Sequence, residues 1–131
     1  MSYIMHHTEQ PSILLPGKYK NPAGHTECVE FVRQVTSAPA TYLWKKGLHI
    51  QGASSGAVPR GTAIATFDAN GKYPTDALGK HAAIYLGHSS VGIDVLDQWA
   101  SLGAVKRRTI RFNNHNANSR SDKAEMFYVI E

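Results

Sequence analysis

The chain of 131 residues contains a single cysteine, and this scarcity restricts its chemistry more than any other count. One cysteine excludes an internal disulfide framework, an iron–sulfur cluster and any zinc site built from several cysteines. Charged residues make up 18% of the chain and apolar residues 42%, a balance typical of a globular domain rather than a disordered or fibrous one. Two roles remain for Cys28: a small buried apolar group, or a reactive thiol.

Long apolar runs are also missing. The short run at residues 13–15 is interrupted by Pro16, so no stretch approaches the roughly 20 residues of a membrane-spanning helix. The first ten residues lack the basic start and sustained apolar middle of a cleavable secretion signal. We therefore expect a protein that is made in the cytoplasm without a signal peptide and that does not insert into a membrane.

The length and the charge set broad limits. A chain of this length predicts one domain, residues 1–131, with a core that needs no cross-links. Fourteen Lys and Arg against ten Asp and Glu give a net charge of +4, which suits an anionic partner. Neither aromatic residues interleaved with the basic ones nor any nucleic-acid motif is present, so we expect no nucleic-acid partner. The histidines show no H-E-x-x-H spacing, and we expect neither a metal nor a cofactor.

The first half of the chain contains one clear helical pattern. Cys28, Phe31, Val32 and Val35 follow the i, i+3, i+4, i+7 spacing of one apolar helix face. We predict Thr26 as its N-cap and Pro39 as the residue that stops it. A second short helix is predicted at residues 40–46, and a loop at residues 51–61.

The second half alternates between β-prone runs and turn-forming residues. Strands are predicted at residues 62–67, 81–86, 93–99, 105–112 and 126–130. A helix followed by an antiparallel meander indicates the α+β class, with the helix packed on the sheet.

Cys28 lies in the first turn of its predicted helix. Free backbone N–H groups and the positive end of the helix favour a thiolate there. The same N–H groups can hold the oxyanion that forms when a thiolate attacks an amide. The alternative, a buried apolar cysteine on a helix face, remains open on position alone.

A cysteine nucleophile needs an imidazole, and His81 is the leading candidate among seven histidines. It opens an apolar strand, which would fix its ring at one end of the sheet, whereas the rival His25 lies in a loop. If the following turn is centred on Ser89, His81 faces Asp97 across the hairpin, and the carboxylate can orient the imidazole. A slip of one residue would present Gln98 instead.

A basic run at residues 106–111 has two interpretations. Strand alternation sends Arg107 and Arg111 to one face and Lys106 and Arg108 to the other. Such a pattern is typical of an edge strand protected by charge. It would also attract an anionic cell wall or an acidic inhibitor.

Two segments resemble the papain-like amidases of the NlpC and CHAP type: Glu-Cys-Val-Glu-Phe-Val-Arg at residues 27–33 and Gly-Lys-His-Ala-Ala-Ile-Tyr-Leu-Gly at residues 79–87. Residues 61–67 and 95–99 extend the resemblance over about residues 19–99. In its small size the chain is most similar to the type VI secretion amidase effectors, especially their third family. The resemblance implies an α+β papain-like fold whose catalytic helix packs on an antiparallel sheet.

The same resemblance implies site residues and partners. Cys28 becomes the nucleophile, His81 the base and Asp97 the orienting residue, while Tyr19 becomes a candidate oxyanion or substrate contact. The implied activity is cleavage of peptidoglycan peptides, with the D-alanyl–diaminopimelate bond favoured and the γ-D-glutamyl–diaminopimelate bond as the alternative. The implied partners are the type VI secretion apparatus and a cognate immunity protein, and the implied place of action is the periplasm of a recipient bacterium.

Two other functions remain compatible with the sequence. The first is a non-catalytic module of the same fold that binds cell wall or a protein. The second is a cysteine hydrolase of the same type that acts on an ordinary protein or a ubiquitin-like substrate.

Overall fold

The computed structural model describes residues 2–131 and places one α-helix against a six-stranded antiparallel sheet. The helix, α1, spans Cys28–Thr36. The strands are β1 (Lys46–His49), β2 (Ala63–Thr66), β3 (Ala82–His88), β4 (Gly92–Asp97), β5 (Lys106–Arg111) and β6 (Phe127–Ile130). Their order across the sheet is β1-β6-β2-β3-β4-β5, with β1 and β5 at the edges. The predicted α+β class, with a helix packed on an antiparallel sheet, is confirmed.

Helix α1 begins at Cys28, one residue later than it would begin if Thr26 were its N-cap. Glu27 occupies the N-cap position with extended backbone, so the predicted Thr26 cap is wrong. The hydroxyl of Thr26 instead donates to the carbonyl oxygens of Trp99 and Ala100, each at 3.3 Å. The helix ends at Thr36, before the predicted stop at Pro39, and its C-cap Ser37 has a left-handed backbone at φ 61°.

Apolar side chains cover both faces of the sheet. On one face, Phe31 and Val32 of α1 pack against alternate residues of β2, β3 and β4, among them Ala82 and Leu96. On the other face, Ile50 and Val58 from the segment between β1 and β2 cover a second apolar cluster. Because both faces are buried, the central strands are apolar throughout rather than alternating.

The predicted second helix at residues 40–46 is wrong. A single 3-10 turn spans Thr41–Leu43, and the chain then enters β1 at Lys46. This edge strand pairs with β6, but its pairing is irregular between Lys46 and His49. The irregular pairing and the half-exposed side chains leave little period-2 pattern by which sequence reasoning could find the strand.

Strands β3 and β4 form a hairpin whose register differs from the predicted one. Tyr85 pairs with Val95 and Ile84 with Leu96, so Asp97 lies two residues out of direct register with His81. The turn lies at residues 89–91, later than the predicted centre at Ser89, and a β-bulge between Tyr85 and Gly87 precedes it in β3.

The insertion after β2 is fastened to the C-terminal loop. Arg120 forms a two-pronged ion pair with Asp76, at 2.7 and 3.0 Å, and its backbone N–H donates to Leu78. Gly79, at φ +109°, allows the close approach, since a Cβ there would lie 2.7 Å from the backbone nitrogen of Arg120. Together these loops build one wall beside the start of β3. None of the described helices is long and apolar enough to cross a membrane.

Candidate active site

A cleft of about 640 Å³ opens where the first turn of α1 meets the start of β3 and the end of β4. Its walls come from seven parts of the chain, including the two fastened loops. The lining residues are Glu27, Cys28, Val29, Thr41, Tyr73, Lys80, His81, Trp99, Ala100, Arg108, Ser119, Ser121 and Asp122.

Cys28 is the first residue of α1 and is half-buried at the base of this cleft. Burial alone would raise the pKa of its thiol. The hydrogen bond and charge of His81 outweigh that effect, helped by the backbone N–H of Ala82 and the hydroxyl of Tyr73, and the pKa of Cys28 is held below its ordinary value. The site therefore favours a thiolate.

His81 immediately precedes β3 and is buried. Its backbone is fixed by Thr66, because the His81 N–H donates to the Thr66 hydroxyl at 3.1 Å and the His81 carbonyl accepts from the Thr66 N–H at 3.0 Å. Its Nε2 lies 2.7 Å from Oδ2 of Asp97, which leaves Nδ1 as the ring nitrogen for Cys28. Burial lowers the pKa of His81, but the hydrogen bonds and charges of Asp97 and Cys28 raise it to about 9.

Asp97, the last residue of β4, has no exposed surface. It holds His81 on one side and Arg108 on the other, with the Arg108 Nη2 at 2.7 Å from Oδ2. Burial would raise the pKa of this carboxyl, yet the hydrogen bonds and charges of His81 and Arg108 hold it below the ordinary value. Asp97 is therefore a carboxylate that accepts from both neighbours.

Gln98, the alternative to Asp97 in the sequence, points to the opposite face of the sheet. Its amide Nε2 donates to the carbonyl oxygens of Tyr19 and Glu27, each at 2.8 Å. It is almost fully buried and ties the end of β4 to the N-cap of α1. The structure thus brings together Cys28, His81 and Asp97 and keeps Gln98 out of that group.

The resemblance names Tyr19 as the candidate oxyanion or substrate contact, but Tyr73 is the tyrosine that lines the cleft. Tyr19 is buried and packs on Phe31, with ring centroids 5.0 Å apart, and it does not line the cleft. Tyr73 does line it, with its hydroxyl 3.9 Å from Sγ of Cys28. Burial, and then the charge of Cys28, raise the pKa of Tyr73, so its hydroxyl keeps its proton at neutral pH. Tyr73 lies in an irregular insertion, and no pattern in the sequence points to it.

The rival histidine is not part of the site. His25 is exposed and does not line the cleft. Within residues 2–131, no group of three or more His, Cys, Asp or Glu side chains is arranged to hold a metal ion.

Comparisons with known proteins agree with this architecture. A solved structure described as Type 6 secretion amidase effector 2 superimposes with a TM-score of 0.79 and 29% sequence identity, covering 98% of this chain and 94% of that one. A Salmonella typhi protein named Type VI secretion amidase effector 2 protein is 35% identical over 117 residues, which is 82% of this chain and 86% of the relative. A protein of Ixodes scapularis named Domesticated amidase effector 2 is 38% identical over 109 residues, 80% of this chain and 70% of the relative.

The family-level comparison covers nearly the whole sequence. A profile of the family described as Domesticated amidase effector 2 matches residues 4–130. The resemblance to amidase effectors is thus confirmed, but the matches are to the second group of these proteins rather than to the third, which the sequence resemblance favoured. The chain belongs to the Domesticated amidase effector 2 family, within the papain-like amidase effectors of type VI secretion.

Proposed function

We propose that this protein is a cysteine amidase that hydrolyses peptide cross-links of peptidoglycan, as an antibacterial effector of type VI secretion. The observation that carries the proposal is the contact of a buried imidazole with a carboxylate on one side and a thiol in an open cleft on the other. Membership of an amidase effector family supplies the substrate class.

The first chemical step is attack by Cys28. The lowered pKa of the thiol and the raised pKa of His81 both favour a thiolate–imidazolium pair near neutral pH. The sulfur adds to the carbonyl carbon of the scissile amide, and the carbonyl oxygen becomes an oxyanion. Backbone N–H groups at the first turn of α1 and the protonated hydroxyl of Tyr73 are the donors available to that oxyanion.

His81 then acts as an acid and later as a base. The imidazolium gives its Nδ1 proton to the leaving amine, the carbon–nitrogen bond breaks, and a thioester to Cys28 remains. A water molecule gives a proton to His81 and attacks the thioester, which releases the carboxylate product and restores the thiol. Asp97, bound to Nε2 throughout, keeps the ring in the orientation that both transfers need.

Among the amide bonds of a cross-linked stem peptide, we favour the D-alanyl–diaminopimelate bond, with the γ-D-glutamyl–diaminopimelate bond as the alternative. Lys80 lines the cleft and suits a peptide that is rich in carboxylates. Both bonds lie beside such carboxylates, so product masses are needed to distinguish them.

The decisive experiment is digestion of purified cell wall by the wild-type protein and by the Cys28→Ala variant. We expect soluble muropeptides from the wild type alone, with masses that correspond to opened cross-links. Ser37→Ala, a change of similar size outside the cleft, serves as the control and should behave as the wild type. Equal release by wild type and Cys28→Ala would refute the cysteine mechanism.

The biological setting follows from the same proposal. We propose delivery by the type VI secretion apparatus, action in the periplasm of a recipient bacterium, and protection of the producer by a cognate immunity protein. Expression in a bacterium with and without an added periplasmic signal tests the place of action. Lysis that requires the added signal and an intact Cys28 is the expected result.

A further inference from the structure

The hydrogen-bonded array at the cleft continues beyond Asp97. Nε of Arg108 donates to both carboxylate oxygens of Asp97, at 3.1 and 2.9 Å, and Nη2 lies 2.7 Å from Oδ2. Oδ2 is the same oxygen that contacts Nε2 of His81. One buried carboxylate oxygen is therefore shared by the imidazole and the guanidinium.

The guanidinium is held from two further sides. Its central carbon lies 5.1 Å from the ring centroid of Trp99, a distance typical of a cation–π contact. Nη1 lies 4.0 Å from Oδ1 of Asp122. The side chain is 29% exposed and lines the cleft. These contacts fix the plane of the guanidinium rather than merely placing a positive charge nearby.

The neighbouring arginine shows that this arrangement is specific. Arg107 pairs with Leu96 in the β4–β5 ladder and projects to the opposite face, where it is exposed and does not line the cleft. Arg108 pairs with Val95 and projects to the face that carries Asp97. Of the basic run in β5, Arg108 alone lines the cleft.

We propose that Arg108 is a positioning residue for the hydrolysis, acting on His81 through Asp97. The inference rests on the proposed catalytic roles of Cys28 and His81. By binding both oxygens, Arg108 fixes the carboxylate plane so that Oδ2 points at Nε2. Its positive charge also offsets the carboxylate, which would otherwise hold the imidazolium proton more tightly and slow its transfer to the leaving amine.

Other charged and titratable groups line the cleft together with His81. They come from the start of α1, from the insertion after β2 and from the C-terminal loop: Glu27, Cys28, Tyr73, Lys80 and Asp122. Asp97, at the end of β4, contacts His81 directly. Within residues 2–131, the side chains that contact the Asp97 carboxylate are those of His81 and Arg108. Replacing Arg108 therefore changes the balance on Asp97 directly.

The test compares Arg108→Gln and Arg108→Lys with Arg107→Gln as the matched control. The first measurement is the rate of alkylation of Cys28 by iodoacetamide as a function of pH, which needs no wall substrate. We expect Arg108→Gln to raise the inflection that reports His81 by about one pH unit. Arg108→Lys retains the charge and should keep the inflection near the wild-type value. The alkylation profile of Arg107→Gln should superimpose on that of the wild type.

The second measurement is hydrolysis of cross-linked muropeptides. Arg108→Gln and Arg108→Lys should each lower kcat about tenfold or more with little change in KM, because an ammonium cannot bridge both carboxylate oxygens. If Arg108→Gln does not fold, the lysine variant decides: wild-type kcat in Arg108→Lys overturns the proposal. An unshifted alkylation profile in folded Arg108→Gln, or an equal shift in Arg107→Gln, also overturns it. Failure of the wild type to cut muropeptides counts against the proposed function, while the alkylation profiles still decide the role of Arg108.

Discussion

Asp97 and His81 lie on adjacent antiparallel strands, two residues out of direct register, and still meet through a 2.7 Å contact. An offset of two keeps both side chains on one face of the sheet, whereas an offset of one would not. Next to the turn, His88 lies opposite Ile93. If this register continued along the whole hairpin, Gln98 rather than Asp97 would lie on the same face as His81. The bulge between Tyr85 and Gly87 corrects this by one residue, so Asp97 is the residue that reaches the imidazole.

Replacing the Asp97 carboxylate should remove the group that orients the His81 imidazole. In Asp97→Asn we expect kcat for muropeptide hydrolysis to fall about a hundredfold or more, because the ring loses its orienting acceptor. The inflection of Cys28 alkylation near pH 9 should move down, since Asp97 is one of the groups that raise the pKa of His81. Asp94→Asn, on the same strand but outside the cleft, is the control and should change neither quantity.

Exchanging the two neighbours tests the register. The double variant Asp97→Gln with Gln98→Asp keeps the composition but leaves His81 without a carboxylate. It also sets a carboxylate against the carbonyl oxygens of Tyr19 and Glu27, which now accept from the Gln98 amide. We expect no detectable muropeptide hydrolysis and a lowered melting temperature. Activity near the wild-type level would show that either residue can serve the imidazole.

Tyr73→Phe should weaken the chemical step without affecting folding. Loss of one oxyanion donor typically lowers kcat by about a hundredfold, and KM should change little because the ring remains in the cleft. Tyr42→Phe is the matched control, since Tyr42 is 84% exposed and does not line the cleft. An unchanged kcat in Tyr73→Phe would remove the hydroxyl from the mechanism.

The pH dependence of hydrolysis should have its alkaline limit near the pKa of His81. That pKa is raised to about 9, so the imidazolium persists through neutral pH and loses its proton as the pH rises past about 9. The acidic limit is set by the Cys28 thiol, whose pKa is lowered, and it should fall below the ordinary range of a cysteine. A rate profile of kcat/KM between pH 4 and 11 measures both limits, and a profile that still rises above pH 9 would contradict the assignment.

Gly79→Ala should disturb the wall that the two fastened loops form. The added methyl group would meet the backbone of Arg120, and φ +109° is strained for alanine. We expect a raised KM for muropeptides in the hydrolysis assay, because the two loops supply Tyr73, Ser119 and Asp122 to the cleft. Gly24→Ala, also at positive φ but with open space around it, controls for backbone strain alone.

The sequence predicts those parts of the molecule that local pattern determines. The helical spacing that includes Phe31 and Val32 predicts α1 and places Cys28 in its first turn. The apolar run after residue 81 predicts β3 and places His81 at its start. The sequence favours Asp97 on a pairing in which it faces His81 directly; the structure shifts that pairing by two residues, and Asp97 still contacts the imidazole.

The remainder depends on contacts that local pattern does not encode. Tyr73 reaches Cys28 from an irregular insertion, and the sequence around it carries no periodicity to place it. Strand alternation separates Arg108 from Arg107 on opposite faces of β5, as the structure has them. The contact of Arg108 with Asp97, however, depends on how β4 and β5 pair. The bulge shifts the pairing of β3 with β4. These are properties of tertiary structure, and they decide the details of the site.

The hydrogen bonds from Gln98 to Glu27 and from Thr26 to Trp99 have a consequence for biosynthesis. The proposed nucleophile is residue 28, but the strand end that anchors its helix, and the arginine that contacts Asp97, are made only at residues 97–108. A nascent chain or a fragment that stops before the end of β4 contains Cys28 without Asp97 and without the Gln98 and Trp99 contacts that anchor the start of its helix. The array of Cys28, His81, Asp97 and Arg108 is therefore complete only after β5 has been synthesised.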